Sequence, residues 1–274
     1  MLKLGLALNR DHRIKAASNT YAIDYITAVI AAGGTFTAPQ QVAIYTFFDE
    51  MTGNGTINTT YDFMLNMFRG YIYLGGTAAT CLIDIVTATS IGSFSGGGTI
   101  NANGFLGNAT NAYQNTLVVD SNLNSTSIAA FIRVGNNYVT GTKQQFYGGS
   151  ATGTIGLGLL INYAFGFNMT YATASIRQNG IAAVAVTKGS YAVRRTGTTQ
   201  SLDKNGLNLN TAGVYNYSAT GTTISINAAN YAGTNVDYAD GLVQSFYIGN
   251  FFTTAQSLML DSIDANLQLA FARL

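Results

Sequence analysis

Few residues of this chain belong to the types that usually perform acid–base, nucleophilic or metal chemistry. The 274 residues include one histidine (His12), one cysteine (Cys81) and one glutamate (Glu50). A Ser-His-Asp or Cys-His site would have to use His12, which lies in a polar, basic stretch near the N-terminus. A metal centre of several histidines is excluded within one chain. The sequence therefore predicts a protein that is not an enzyme and uses no cofactor.

The other acids are aspartates, and Asp237 and Asp240 lie three positions apart in a predicted loop. Glycosidases generally use two carboxylates at a fixed separation, and residues 91–252 contain no glutamate. A polysaccharide-degrading enzyme is therefore only a remote alternative. The same two aspartates form a candidate weak calcium site, since calcium takes about six to eight oxygen ligands. Two solvated loop aspartates are the simpler interpretation.

Charge is scarce along the whole chain. Charged residues make up 9% of the sequence, 13 Lys and Arg balance 12 Asp and Glu, and 47% of the residues are hydrophobic. This composition disfavours disorder and lacks the basic excess of a nucleic-acid binder. No apolar run approaches the roughly 20 residues of a membrane helix, and the N-terminal one is too short for an export signal. We expect a folded protein with neither nucleic acid nor membrane as partner.

Positive charge is concentrated at the N-terminus, where Lys3, Arg10, Arg13 and Lys15 lie within the first fifteen positions. Residues 1–20 are interpreted as an arm that docks the protein to a partner. A solvated, partly disordered terminus is the alternative interpretation.

Residues 21–90 are predicted to form a small helical module. Its first helix would begin near Tyr21 and end at Gly33-Gly34, and its second would be capped by Thr37, with Pro39 in the first turn. A third helix is predicted from about Asn58 to Phe68.

Residues 253–274 are predicted to form a C-terminal helix, capped by Thr253-Thr254, that packs on the sandwich or on a neighbouring subunit. Asp261 and Asp264 near its start and Arg273 at its end would complement the helix dipole. Cys81, in an apolar run, is predicted to be a buried small hydrophobic residue.

Residues 91–252 show short β-rich runs separated by glycine- and asparagine-containing turns, a pattern typical of a jelly-roll β-sandwich. The Asn179-Gly180 and Asn205-Gly206 pairs predict tight hairpins. Gly96–Gly98 is predicted to link the helical module to the sandwich. The predicted strands are Ser127–Val134, Ile155–Asn162, Tyr171–Arg177, Ala182–Val186, Tyr191–Arg195, Thr223–Asn227 and Val243–Ile248.

Four blocks in this order resemble tailed-phage structural proteins that carry a laminin-G-like, concanavalin-type jelly roll. They are Tyr73–Thr80 (YLGGTAAT), Asn103–Thr116 (NGFLGNATNAYQNT), Asp203–Gly206 (DKNG) and Ile248-Gly249 before a terminal helix. The resemblance covers roughly residues 21–274 and implies a mainly β virion component, made in the host cytoplasm and displayed on the capsid or tail surface. It implies no catalysis.

The resemblance leaves several roles open: head fibre, capsid decoration or tail protein for host attachment. Expected partners are other virion proteins, bound through the arm, and further copies of the chain in a homo-oligomer, with a trimer favoured. Recognition of a host surface glycan is the alternative function. Its candidate contacts are Asn136, Asn137, Tyr138, Tyr215, Asn216 and Tyr217, for which ordinary turn and strand-end roles are the simpler interpretation.

Overall fold

Two packed antiparallel sheets, with helices on one outer face, form the described part of the chain. This architecture confirms the predicted mainly β sandwich with N-terminal and C-terminal helices. No helix in the described part has the length and apolarity needed to cross a bilayer. The computed structural model describes residues 19–123, 127–136, 143–148, 158–162, 166–169, 188–197, 199–212, 221–231, 233–236, 238–250 and 252–274.

Local capping explains where the three longer helices begin. The described helices are α1 (Thr20–Ala31), α2 (Ala38–Met51), the single turn α3 (Ala78–Cys81) and α4 (Thr254–Ala270). The side chain of Asn19 accepts a hydrogen bond from the backbone of α1. Thr37 and Thr253 each form a capping box with a glutamine three positions later, as their predicted cap roles require.

The larger sheet has eight strands, in the order β14-β13-β12-β8-β18-β6-β5, with β1 also paired to β18. The central strands β8 and β18 are among the strands that the sequence predicted. Its members are β1 (Met67–Tyr71), β5 (Thr99–Asn101), β6 (Gly104–Leu106), β8 (Ser127–Val134), β12 (Gly189–Thr196), β13 (Thr199–Lys204), β14 (Leu207–Ala212) and β18 (Leu242–Gly249).

The smaller sheet has six strands, in the order β11-β10-β9-β15-β7-β4. Its members are β4 (Ser93–Ser95), β7 (Tyr113–Val119), β9 (Lys143–Gly148), β10 (Gly158–Asn162), β11 (Gly166–Met169) and β15 (Thr223–Ile226). Two short hairpins pair β2 (Ile83–Asp84) with β3 (Thr89–Ser90) and β16 (Ala229–Tyr231) with β17 (Thr234–Val236). The predicted strands Tyr171–Arg177 and Ala182–Val186 and the Asn179-Gly180 turn lie outside the described residues.

The eight-stranded sheet is buried on both faces. Ile132 points between the sheets, where it packs with Ile224 of β15. Its neighbour Phe131 points to the opposite face, against the helices, in the cluster that contains Phe47 of α2 and Leu260 of α4. This double burial explains why β8 reads as an almost continuous apolar run.

The predicted third helix, Asn58–Phe68, is wrong. The chain instead makes turns, one 3-10 turn at Met64–Asn66, and strand β1. The Asn58 amide donates to the carbonyls of Glu50 and Tyr61, both at 2.6 Å, and therefore competes with a helical backbone. Pairing of β1 with β18, far away in sequence, extends the rest of the segment.

Two predicted turns have distinct outcomes. Asn205 and Gly206, with φ of 49° and 72°, connect β13 to β14, which confirms this hairpin. A Cβ on Gly206 would lie 2.4 Å from the Cα of Leu258, so the turn packs closely on α4. Gly96–Gly98 joins β4 of one sheet to β5 of the other, so the predicted linker is a crossing within the sandwich.

Candidate functional site

A charged network fastens α4 to the eight-stranded sheet. Arg133 of β8 contacts Asp264 through Nε and donates through Nη2 to Asp261 Oδ1 at 2.6 Å. Asp264 also accepts a hydrogen bond from Tyr247 of β18 at 2.6 Å, and Asp261 accepts one from Ser190 of β12 at 2.5 Å. Three strands are thereby joined to one helix.

This network corrects the expected dipole roles of the two aspartates. The first turn of α4 holds no acidic residue and its last turn no basic one. Asp261 and Asp264 lie further along the helix, facing Arg133, and their carboxylates hold the pKa of that guanidinium above its usual value against the opposing effect of burial.

A second buried ion pair lies at the beginning of α4. Arg194 of β12 donates to both oxygens of Asp203 on β13, at 2.5 and 2.8 Å. The same guanidinium reaches the Phe252 carbonyl at 3.3 Å and the Thr254 hydroxyl at 2.9 Å. The pair therefore connects two adjacent strands of the sheet to the segment that starts the helix.

Arg273, just beyond α4, is buried and bound to backbone carbonyls. It donates to the carbonyls of Ile72 at 3.1 Å, Asn103 at 3.0 and 3.2 Å, and Gln244 at 3.0 Å. Its own carbonyl accepts a hydrogen bond from the Gln244 side chain at 2.6 Å. Burial lowers its pKa to about 10, partly offset by the charge of Asp264. The predicted dipole role of Arg273 is thus replaced by a clamp on three chain segments.

Glu50, the single glutamate, organises the loop after α2. Its carboxylate accepts hydrogen bonds from the backbone amides of Thr56, Ile57 and Asn58 at 2.7 to 3.1 Å. Burial alone would raise its pKa, but these donors outweigh burial and hold the pKa of Glu50 below its usual value. The residue is a structural anchor in this loop.

The described aspartates of these networks are held in ion pairs. The carboxylates of Asp84, Asp203, Asp261 and Asp264 are each engaged by an arginine. The described residues hold no cluster of three or more His, Cys, Asp or Glu that could bind a metal. Cys81 is buried as predicted, and burial raises the pKa of its thiol to about 11, which disfavours the reactive thiolate.

Two of the predicted site residues are described, and the structure brings them together. Asn136 accepts a hydrogen bond from the Leu242 amide at 2.9 Å and donates to the Asp240 carbonyl at 3.5 Å. Asn136 therefore braces the segment before β18. The remaining residues lie outside the described part: the arm residues Lys3, Arg10, Arg13 and Lys15, the candidate glycan contacts Asn137, Tyr138, Tyr215, Asn216 and Tyr217, and the candidate calcium ligand Asp237.

The outer face of the six-stranded sheet carries an aromatic pair that the sequence did not single out. The rings of Tyr113, on β7, and Tyr238, after β17, are 6.2 Å apart with planes inclined by 35°. Tyr238 donates to the Asn235 carbonyl at 2.6 Å, and Ser225 of β15 donates to the Asn235 side chain at 2.7 Å. Tyr113 lies within one of the recognised blocks, but only the strand register brings it to Tyr238.

No protein-family model and no curated protein sequence matches the chain. Among solved structures, domain 4 of AbnA, an extracellular arabinanase from Geobacillus stearothermophilus in complex with arabinotriose, superposes with a TM-score of 0.51 at 16% identity. The match covers 72% of this chain and 98% of that domain. At this identity the likeness shows the fold: a jelly-roll β-sandwich.

Two larger proteins contain a similar sandwich. Botulinum neurotoxin type C, whose cell entry depends on interaction with two ganglioside molecules, matches with a TM-score of 0.52 at 13% identity over 73% of this chain. A Trypanosoma rangeli sialidase mutant with trans-sialidase activity matches with a TM-score of 0.55 at 11% identity over 91% of this chain. This chain spans 52% of the toxin chain and 38% of the sialidase chain.

Proposed function

We propose that the protein is a non-catalytic structural protein on the surface of a tailed-phage particle, attached by its N-terminal arm. The observation that carries the proposal is the ordered set of sequence blocks, because the jelly roll they imply is the architecture described above. Within this proposal the sandwich faces outward, and its function is assembly together with adhesion to the host surface.

The arrangement of charge supports a scaffold role. Asp264 and Asp203 belong to the buried ion pairs that connect the sheet to α4 and to the segment that starts it. A display protein benefits from such bracing, whereas a hydrolase needs carboxylates accessible to its substrate. Because two of the similar folds occur in enzymes, a direct assay for polysaccharide hydrolysis is the appropriate check on the non-catalytic part of the proposal.

Removal of residues 2–16 tests the attachment. The deletion takes away Lys3, Arg10, Arg13 and Lys15 but ends before α1, so the sandwich should still fold. We expect the purified variant to keep the circular dichroism spectrum of the wild type, while its copies per purified virion fall to background. A variant of full length with the four basic residues replaced by Gln separates charge from length. Normal incorporation of the deletion variant would contradict docking through the arm.

The number of copies per wild-type particle indicates where on the particle the protein is located. A large number would favour capsid decoration, and a small number would favour a tail or vertex position. Absence of the protein from purified particles would contradict the whole proposal.

Glycan recognition is the second candidate function. It is favoured by the exposed polar and aromatic face around Tyr113 and Tyr238. The fold is compatible with it, since one similar domain is in complex with arabinotriose and another similar protein depends on gangliosides for cell entry.

A further inference from the structure

On the outer face of the six-stranded sheet, described residues of β4 and β7 are partly exposed, whereas Ser225 of β15 is fully buried. Along β7, Gln114 and Thr116 point inward and are fully buried, so Tyr113 and Asn115 point outward and are partly exposed. Strand pairing places Ser93 and Ser95 of β4 beside these two residues. The result is a patch of hydroxyls, one amide and a phenol.

The second tyrosine is held in place beside this patch. The hydroxyl of Tyr238 is anchored on the Asn235 carbonyl, and Asn235 in turn is bonded to Ser225 of β15. Ser225 pairs directly with Asn115 across the sheet. Both tyrosines are thus fixed to the sheet. This reduces the entropy cost of ordering their side chains when a ligand binds.

This sheet is almost free of charge. Among its six strands the single charged residue is Lys143, whereas the eight-stranded sheet contains Arg69, Arg133, Arg194, Arg195, Asp203 and Lys204. Among the described strands of the two sheets, charge is therefore concentrated in the eight-stranded sheet. An anionic ligand would find no described arginine or lysine side chain on β4, β7 or β15.

We propose that this face binds an uncharged carbohydrate, with the rings of Tyr113 and Tyr238 contacting the sugar and Asn115, Ser93 and Ser95 bonding its hydroxyls. Sugars present C–H surfaces that pack on aromatic rings and hydroxyls that pair with amides and hydroxyl groups. The inference rests on glycan recognition, the second candidate function proposed above, and specifies its ligand class and site.

A second copy of the chain is the competing occupant. Leu117, which is 53% exposed, lies on β7 and would suit a protein contact. Apart from Leu117 and the two tyrosines, the patch carries the small polar side chains of Ser93, Ser95 and Asn115, whereas interfaces between identical subunits are usually more apolar at their centre. The polar composition therefore favours the carbohydrate.

The test uses the purified full-length protein on an array of uncharged oligosaccharides, with heparin and polysialic acid as anionic comparators. Tyr238→Ala removes one ring, and Asn115→Asp adds a charge but keeps the oxygen that accepts from the Leu117 amide at 2.9 Å. Tyr45→Ala is the matched control, because Tyr45 is a half-buried tyrosine on α2, on the other side of the molecule. Thermal unfolding and molar mass are measured for every variant.

We expect binding to uncharged oligosaccharides that Tyr238→Ala and Asn115→Asp each weaken roughly tenfold or more, with Tyr45→Ala close to wild type. Absence of binding to every uncharged glycan, preference for the anionic probes, or unchanged affinity in folded Tyr238→Ala and Asn115→Asp would each overturn the inference. A fall in oligomeric mass without glycan binding would assign the face to a second copy. Virion incorporation is scored separately, so normal incorporation without glycan binding would refute this site but leave particle attachment intact.

Discussion

At the scale of single residues, the charged side chains of the described core connect separate segments of the chain. Removing a buried charge from water costs several kcal/mol, which close pairing and additional hydrogen bonds offset. Arg133 meets this condition through two aspartates and the Asp261 carbonyl. Such pairs contribute modest net stability, but loss of one partner leaves the other charge buried and uncompensated.

Asp264→Ala should therefore destabilise the protein strongly. The Asp264 side chain is fully buried and accepts from both Arg133 and Tyr247, so we expect a loss of about 3–5 kcal/mol in the free energy of unfolding. Asp261→Ala is the matched control, because that side chain is 15% exposed and water can replace part of its contacts. Urea denaturation measures both variants. Equal effects would show that burial does not distinguish the two carboxylates.

The sequence predicts local residue properties better than it predicts which distant residues contact each other. Burial of Cys81 follows from its apolar neighbours and is confirmed. The roles of Asp261 and Asp264 cannot be read from the sequence, because their partner Arg133 lies 128 or more positions away. Helix position suggested a dipole effect, whereas strand register decides which arginine they meet.

At the scale of elements, the loop between α2 and β1 shows how one side chain replaces regular structure. Residues 55–58 wrap around the Glu50 carboxylate, and a Cβ on Gly55 would lie 2.0 Å from it. Asn58 satisfies further backbone groups of the loop. The loop thus has its backbone bonded without forming the helix that the apolar pattern indicated.

Glu50→Gln should destabilise the protein in a pH-dependent manner. The folded pKa of Glu50 is lowered, so its stabilisation is present above the ordinary glutamate pKa of about 4.3 and is lost as pH falls through the folded value. We expect the variant to lose about 1–3 kcal/mol at pH 7, and the difference from wild type to shrink below about pH 4. Asp24→Asn, at an exposed position of α1, is the control. Chemical unfolding across this pH range gives the result, and a gap that is independent of pH would contradict the anchoring role.

Element prediction succeeds where the signal is short-range. Thr37 and Thr253 cap their helices because each cap depends on residues within one turn. Strand β1 was missed because its extended form depends on pairing with β18, and β7 was not predicted as a strand although it contains Tyr113 of the candidate site. The outer face around Tyr113 and Tyr238 follows from register, which local composition does not specify.

At the scale of the whole molecule, the sandwich is a three-layer structure in which the eight-stranded sheet separates two cores. One core lies between the sheets and the other lies under α1, α2 and α4. Composition and turn spacing predicted the β class, but the extent of helix cover was not readable from either. Within the described residues, helices cover the outer face of the eight-stranded sheet, while the outer face of the six-stranded sheet is partly exposed at Tyr113 and Asn115.

The C-terminal residues close this assembly, and Arg273 provides the final test. Its guanidinium donates to the carbonyls of Ile72, Asn103 and Gln244, which belong to three separate segments of the chain. Arg273→Met keeps apolar bulk but leaves these buried carbonyls without their donor, so we expect a loss of about 3 kcal/mol or more in the free energy of unfolding. Leu274→Ala, at a side chain that is 53% exposed, should stay close to wild type. Guanidinium chloride unfolding and native-state hydrogen exchange distinguish the outcomes: the clamp requires weaker protection in β1 and β18 as well as α4, and a loss confined to the end of α4 would reduce Arg273 to a local contact.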